Sequence, residues 1–385
     1  MLSLAKTGVR RLSSSSRNWA EIYTRTTINP VNYKLNVPSK IKAESVIVVS
    51  TPSNLPQVIE EAINVFQSKK IQVCVAGVDS VVPNSSRNGV SELWLSKPFQ
   101  IKSSVLLEDR DDLNNKPRES DGVNIVVARK NWKNIDSNLQ VVLNEAATVD
   151  LKLANTVFST NHLVTLFYFQ PENEETHLYN SGQTLCDLTI ELPKDTVPVG
   201  TEVKSYDRWT PLYDNSVEGP FLITNCIGNL LKQINNKSAS GYLEKNNKLM
   251  SLGSKDTKVY VKLYKQNNPE KAFKYEVIAG GGGWGAKAST IALSPDAKLE
   301  KGDRVEFFML TPSDRFSKQE SEVAGADLQG KLTFEATYEE QAYADGSEGK
   351  KAEVLENVFG CGSEEEFKFN GVKHSSAGER LTIDL

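Results

Sequence analysis

The chain has 385 residues, of which 39% are hydrophobic and 24% are charged, and its formal net charge is −4. This composition is typical of soluble globular proteins and supplies enough apolar side chains for one large domain or two ordinary ones. The longest apolar runs have the length of strands and fall far short of the roughly 18 residues that a membrane-spanning helix needs, so no transmembrane segment is predicted.

The N-terminal residues 1–17 carry four cations and no acid, with a run of serines among them. On a helix, Leu2, Ala5, Val9 and Leu12 share one face while the cations lie elsewhere. This Arg- and Ser-rich, acid-poor pattern is typical of a mitochondrial presequence and predicts the mitochondrion, and within it the matrix, as the destination. A frayed basic tail is the alternative interpretation.

Removal of residues 1–17 takes away four cations and no acid, so the net charge of the remaining chain becomes −8. An acidic body without a basic stripe offers little to a phosphate backbone, because nucleic-acid affinity depends on clustered Lys and Arg. The sequence therefore excludes DNA and RNA as expected partners.

The first packed unit follows an extended lead-in over residues 18–40. The apolar run Val46 to Val49 predicts a buried strand, and residues 53–70 combine candidate N-caps with apolar side chains at helical spacing. A second apolar run, Ile71 to Val75, predicts the next strand. The order strand, helix, strand predicts a βαβ-like unit.

The middle of the chain gives weaker signals. Residues 107–122 have the composition of a solvated loop, and "VNIVVARKNW" after them predicts a strand. Residues 142–169 predict a helical or mixed stretch that leads into a strand from Leu163 to Phe169. Alternation at Leu185, Leu188 and Ile190 predicts another strand, which Pro193 ends.

The second half is richer in hairpins. Residues 221–234 predict a β-hairpin around a Gly-Asn turn, and "KVYVKLYK" and "KAFKYEVIA" alternate as antiparallel strands do. A turn at Gly302 leads into the apolar strand Val305 to Leu310. We therefore predict an α+β protein of two sheet-based halves with flanking helices and mixed or antiparallel strands, the halves covering residues 41–215 and 216–385.

The stretch "VIAGGGGWGAKAST" holds the most distinctive candidate site. The glycines satisfy GxGxxG, and three interpretations compete: a nucleotide loop, a turn that glycine permits, and an anion-binding nest of backbone N–H groups. Too few residues separate the run from Pro295 to build the helix that would face a pyrophosphate, and Ala286 stands where a Walker lysine is required. As a ligand-binding segment it would use Gly280, Gly281, Gly282, Gly283, Trp284, Gly285 and Lys287.

The order of features in the second half resembles the FIST family, the F-box and intracellular signal transduction sensory domains. The resemblance is carried by the Gly228-Asn229 hairpin with a helix after it, "GGGGWG", "LSPDA" and the terminal Gly378-Glu379 pair, and the upstream βαβ unit is similar to that family's N-terminal half. It implies a two-part sensory or scaffold module that binds small ligands such as amino acids or presents substrates to a ubiquitin ligase. Residues 18–40 leave no room for an F-box, and the family supplies no catalytic residue to carry over.

No catalytic or metal motif stands out. HExxH and GxSxG are absent, and the three histidines and the four cysteines are scattered without CxxC spacing. Cys361 between two glycines is a candidate reactive thiol, with a tight turn as the favoured interpretation. His162 is expected to be a structural residue, and Arg208-Trp209 an interdomain packing element.

The sequence thus favours a non-catalytic mitochondrial module that binds a small ligand or a protein partner between two halves. The alternative is an enzyme that acts on a nucleotide or phosphorylated substrate through the loop Gly280 to Gly285. The cofactor, if one exists, stays unknown.

Overall fold

A computed structural model describes residues 20–83, 85–107, 137–171, 184–214, 219–252, 258–280, 289–310, 328–337 and 351–385. Within these ranges strands far outnumber helices. The predicted presequence, the predicted strand "VNIVVARKNW" and most of the glycine run lie outside the described residues.

The strands up to residue 211 are β1 Ile22–Ile28, β2 Ser45–Ser50, β3 Gln72–Gly77, β4 Ser80–Val81, β5 Gly89–Leu95, β6 Gln100–Leu106, β7 Asn138–Asn144, β8 Ala147–Lys152, β9 Leu166–Phe169, β10 Leu185–Glu191, β11 Val203–Asp207 and β12 Trp209–Pro211. Those after it are β13 Phe221–Ile227, β14 Leu230–Ile234, β15 Lys237–Ser238, β16 Val259–Lys265, β17 Asn268–Gly280, β18 Ile291–Leu293, β19 Arg304–Leu310, β20 Lys331–Ala336, β21 Glu353–Glu356, β22 Val358–Ser363, β23 Phe367–Phe369, β24 Val372–His374 and β25 Glu379–Asp384.

The described helices are α1 Leu55–Lys69, α2 Val157–Thr160, α3 Ser240–Glu244 and α4 Asn247–Leu252, with a 3₁₀ turn at Pro52–Asn54 before α1. Among the described residues, none of these helices has both the length and the apolar content needed to cross a membrane.

The predicted βαβ-like unit is confirmed. β2 and β3 pair in parallel, and α1 connects them with its buried side chains turned toward the sheet. These side chains recur at helical spacing, which is why the sequence pattern located the helix. The helix ends where Lys70 takes the left-handed conformation with φ 57°.

The lead-in proved to be part of the first sheet. Ile22–Ile28 forms β1, which pairs with β5 on one side and with β21 on the other. Thr24, Thr26 and Thr27 are buried there, so this segment belongs to the folded core of the molecule.

The helical or mixed interpretation of residues 142–169 was wrong in its first part. This region begins with the hairpin of β7 and β8, and only the single turn of α2 is helical. Ala147, Val149 and Leu151 are buried while the residues between them are less so, which is the period-two pattern of a strand. The short connection between β7 and β8 allows the two strands to pair directly.

Three sheets pack around one apolar core. The first has the order β21-β1-β5-β2-β3-β9, the second β24-β23-β8-β7-β10-β6 and the third β11-β25-β20-β22-β4. Each draws strands from before residue 216 and from after it, because β21, β23 and β22 pair with β1, β8 and β4. The predicted mixed and antiparallel pairing is present, but helices are scarcer than the α+β prediction implied.

The described residues between 209 and 310 form a separate antiparallel barrel. Its strands follow the closed order β13-β14-β18-β17-β16-β19, and the pairing of β19 with both β16 and β13 completes the ring. A second apolar core fills it, including Ile223, Leu231, Val261, Ile291 and Phe307. The predicted hairpin at Gly228 and the predicted strand after Gly302 are confirmed as parts of this barrel.

The chain passes from the third sheet into the barrel across a single residue. β11 pairs with β25, β12 pairs with β19, and Arg208 lies between them with its N–H bonded to the Gly378 carbonyl at 3.0 Å. Trp209 stacks on Tyr260 with centroids 4.6 Å apart and donates its indole N–H to the Ala377 carbonyl at 2.8 Å. The predicted packing role of this tryptophan is confirmed.

We expect Gly378→Ala to lower the free energy of unfolding by about 2 kcal/mol. Gly378 has φ +87°, which strains any L side chain, and a Cβ there would lie 2.6 Å from Leu310 Cδ1. Gly371→Ala is the matched control, because φ is +76° and no atom lies within 4 Å of the added Cβ. Urea unfolding of both variants gives the comparison, and equal losses would show that close packing at this border contributes nothing.

Candidate functional site

The structure places the first residue of the glycine run at the end of a strand. Gly280 ends β17 and pairs with Ile291 of β18. Of the other predicted ligand-binding residues, the positions Gly281, Gly282, Gly283, Trp284, Gly285 and Lys287 lie outside the described residues. Their role stays a prediction.

The strands on either side of the run are antiparallel neighbours. Val277 pairs with Leu293 and Ala279 with Ala292, so the run connects two adjacent barrel strands. A dinucleotide site needs a strand, a helix and then a parallel strand, so that the helix N-terminus faces the pyrophosphate. The arrangement of β17 and β18 does not provide that parallel strand.

A groove lies instead where the barrel meets the three-sheet body, closer to the start of β17. Its cavity volume is about 440 Å³, within the usual range for small-molecule sites. One wall is Lys271 to Tyr275 of β17 together with Asp296 of the barrel. The opposite wall comes from β11, the hairpin of β23 and β24, and the start of β25, through Ser205, Gly371, Val372, Lys373, His374, Ser375, Ser376 and Glu379.

An alternating row of charges lies at the border of this groove. Lys274 Nζ is 2.9 Å from Glu379 Oε1 and 3.2 Å from Asp207 Oδ2, and Lys262 Nζ lies 3.1 Å from the same Asp207 oxygen. Both lysines also lie over the ring of Trp209, at 5.4 and 5.8 Å from its centroid. The barrel contributes the cations and the body contributes the anions, so the row holds the two parts together.

Glu379 is the buried end of this row. Its Oε2 accepts a hydrogen bond from the Ser376 N–H at 2.8 Å, and its Oε1 faces Lys274 and, at 3.5 Å, His374 Nδ1. Burial alone would raise the pKa of Glu379, but the contacts with His374, Lys274 and Ser376 hold its pKa below the ordinary value. The carboxylate therefore stays ionised at neutral pH.

His374 is fixed in the opposite wall. Its ring stacks on Phe367 with centroids 4.8 Å apart, and only 8% of the residue is exposed. Nδ1 is buried against Glu379, while the side chain contributes to the lining of the groove. Nδ1 has no hydrogen-bond partner among the described residues.

The other candidates from the sequence lie away from this groove. Cys361 is not in a tight turn: it is buried within β22, and burial raises the pKa of its thiol far above the ordinary value, which keeps it protonated. His162 is exposed next to α2. Among the described residues, no group of three or more His, Cys, Asp or Glu side chains could hold a metal ion.

A second buried acid lies at the border of the first and third sheets. Asp79 follows β3, and its Oδ2 accepts a hydrogen bond from the Glu364 N–H at 2.9 Å. Burial raises the pKa of Asp79 to about 7, against the lowering effect of that hydrogen bond. Arg87 binds the Glu364 carboxylate at 2.6 Å and so fixes the loop above Asp79.

Sequence reasoning missed the groove. Lys274 lies about a hundred positions before His374 and Glu379 in the chain, and the packing of β17 against the body brings it to Glu379. In the sequence, the terminal Gly378-Glu379 pair stands out only as part of the resemblance to the FIST family. No local signal marks Lys274, since it is one of many lysines in alternating strands.

Comparison with known proteins adds no relative: no protein family, no curated protein and no solved structure matches this chain.

We expect Asp79→Asn to gain stability relative to wild type as the pH rises. The pKa of Asp79 is about 7 in the folded protein and 3.8 ordinarily, so the folded state binds the proton more tightly than the unfolded state does. The stability that wild type gains in this way is lost as the pH rises from about 4 to about 7. Urea unfolding should give a difference between variant and wild type that is about 2 kcal/mol larger at about pH 8 than at about pH 5. Asp195→Asn, at an exposed aspartate, is the control; a pH-independent difference for Asp79→Asn would refute the raised pKa.

We expect Glu379→Gln to lower the free energy of unfolding by about 2 kcal/mol near neutral pH, because Lys274 and His374 lose a buried ionic partner. The pKa of Glu379 is lowered, so its stabilisation is present above the ordinary carboxyl pKa and is lost as the pH falls through the lowered value. The difference in the free energy of unfolding between wild type and variant should therefore disappear at acidic pH. Glu353→Gln, at an exposed position of β21, should show no comparable gap at any pH.

Proposed function

We propose that this protein is a non-catalytic module that binds a small ligand in the groove between the barrel and the three-sheet body. One observation carries this proposal: a cavity of about 440 Å³ whose wall holds a buried, ionised Glu379 with His374 and Lys274 against it. Polar groups fixed before a ligand arrives reduce the entropy cost of binding. The resemblance to sensory domains of the FIST family supports the same role.

A binding role also fits the placement of these groups. Small-molecule sites occur preferentially where two structural units meet, since neither unit alone closes a cavity. Here β17 supplies one wall and the β23–β24 hairpin the other. A ligand that contacts both walls would hold the barrel against the body, which gives binding a structural consequence that a partner could recognise.

The test is a thermal-shift screen of residues 18–385 against amino acids, organic acids and nucleotides. A ligand that binds only the folded state at about a hundred times its Kd adds about 2.7 kcal/mol to the free energy of unfolding and raises Tm. Ser375→Trp should abolish this shift, because Ser375 is an exposed residue of the groove wall that an indole would fill. Ser251→Trp, exposed on α4, should keep it.

Two outcomes would contradict the groove as the binding site. One is a stabilising ligand whose shift survives Ser375→Trp. The other is the absence of any stabilisation across the screen, which would leave protein association as the remaining role. Stabilisation by ATP or NAD that is lost with Lys287→Ala would instead support an enzyme acting through the glycine run.

The mitochondrial matrix is the proposed location, on the basis of residues 1–17. A fusion of residues 1–30 to a fluorescent reporter should enter mitochondria, since transit sequences need positive charge and few acids. Replacement of Arg10 and Arg11 by Glu should leave the reporter in the cytosol. Diffuse signal from the unmodified fusion would refute this location.

A further inference from the structure

One lysine of the groove has no carboxylate partner among the described residues. Lys274 is held by Glu379 and Asp207, and Lys373 Nζ lies 2.6 Å from Glu366. Lys271 lines the same groove, is exposed, and forms no ion pair among the described residues. Its Nζ lies 5.2 Å from the centroid of the Phe273 ring, which restricts where the ammonium group points.

The two acids of the groove differ in how well each could bind a cation. Both oxygens of Glu379 already accept contacts, from Lys274 and His374 on one and from the Ser376 N–H on the other. Asp296 is exposed to solvent at the margin, where water and salt weaken its charge. The inner part of the groove is therefore better suited to an anion than to a cation.

His374 lies in the wall of the same groove. The charged groups around it are Glu379 from β25, Lys274 from β17, and Lys373 and Glu366 at the β23–β24 hairpin. An imidazole N–H can donate a hydrogen bond to an oxygen atom of a ligand.

We propose that the groove binds a small anion through its carboxylate or phosphate oxygens, with Lys271 as the charged contact and His374 as a hydrogen-bonding contact. This inference rests on the proposed ligand-binding function and specifies the chemistry of the ligand. The anion enters between β17 and the β23–β24 hairpin and contacts both walls.

The experiment is an NMR titration of residues 18–385 with acetate and, separately, with inorganic phosphate, at constant ionic strength. The charge of acetate is constant between about pH 6 and about pH 8, so the titrations are carried out within that range. The variants are Lys271→Gln and His374→Gln, with Lys237→Gln on the exposed strand β15 as the control. Circular dichroism establishes that each variant is folded.

We expect acetate to shift the amide signals of residues 271–275 and 372–376. Lys271→Gln should weaken binding about threefold, the usual effect of one exposed ion pair. His374→Gln should also weaken binding, and Lys237→Gln should leave it unchanged. A phosphate response without an acetate response would assign the site to phosphorylated ligands.

The proposal is overturned if neither anion shifts the groove signals, or if Lys271→Gln binds acetate as wild type does. A neutral or cationic ligand that is lost with Ser375→Trp while both anions fail would refute this inference and leave the proposed function standing. If His374→Gln does not fold, the comparison of Lys271→Gln with Lys237→Gln decides the proposal, since equal acetate affinity in these two variants contradicts it.

Discussion

The passage of the chain from the third sheet into the barrel constrains the rest of the molecule. Only Arg208 separates the last residue of β11 from the first residue of β12, so the two strands cannot move independently. Asp207 is thereby placed beside the lysines of the barrel, and Trp209 lies beneath them on Tyr260. The groove lies beside this border, where β17 faces the β23–β24 hairpin.

Several acids are buried in the folded chain, and the surroundings of each one separate structural from functional candidates. Glu92 is fully buried and accepts hydrogen bonds from Arg25, Tyr33 and the Trp94 indole, which use both of its oxygens. Glu335 is similarly bound by Arg380 and Ser85. A buried carboxylate with its partners inside the core stabilises one arrangement of the chain and has no surface to offer a ligand. Glu379 differs, because its partners His374 and Lys274 themselves line a cavity.

The glycine run shows why a motif needs its structural context. The spacing of its glycines satisfies a dinucleotide fingerprint, but the fingerprint works only when a helix and a parallel strand follow. The sequence already indicated that no such helix fits before Pro295, and β18 returns beside β17 in the opposite direction. Glycine at the end of a barrel strand permits close approach of its neighbour, as the pairing of Gly280 with Ile291 shows.

The sequence by itself determined those elements whose signal is local. The βαβ unit, the hairpin at Gly228 and the strand after Gly302 were predictable because apolar spacing and turn residues act over a few positions. Prediction from the sequence failed for β7 and β8, where a short alternating pattern competes with residues of high helix propensity. It also failed for β1, because the partners of this strand, β5 and β21, are far away in the chain. Closure of the barrel, the sharing of three sheets between distant segments and the meeting of Lys274, His374 and Glu379 were decided by tertiary structure. Their physical basis is strand pairing and burial between residues remote in sequence, and neither leaves a mark on any single stretch of the chain.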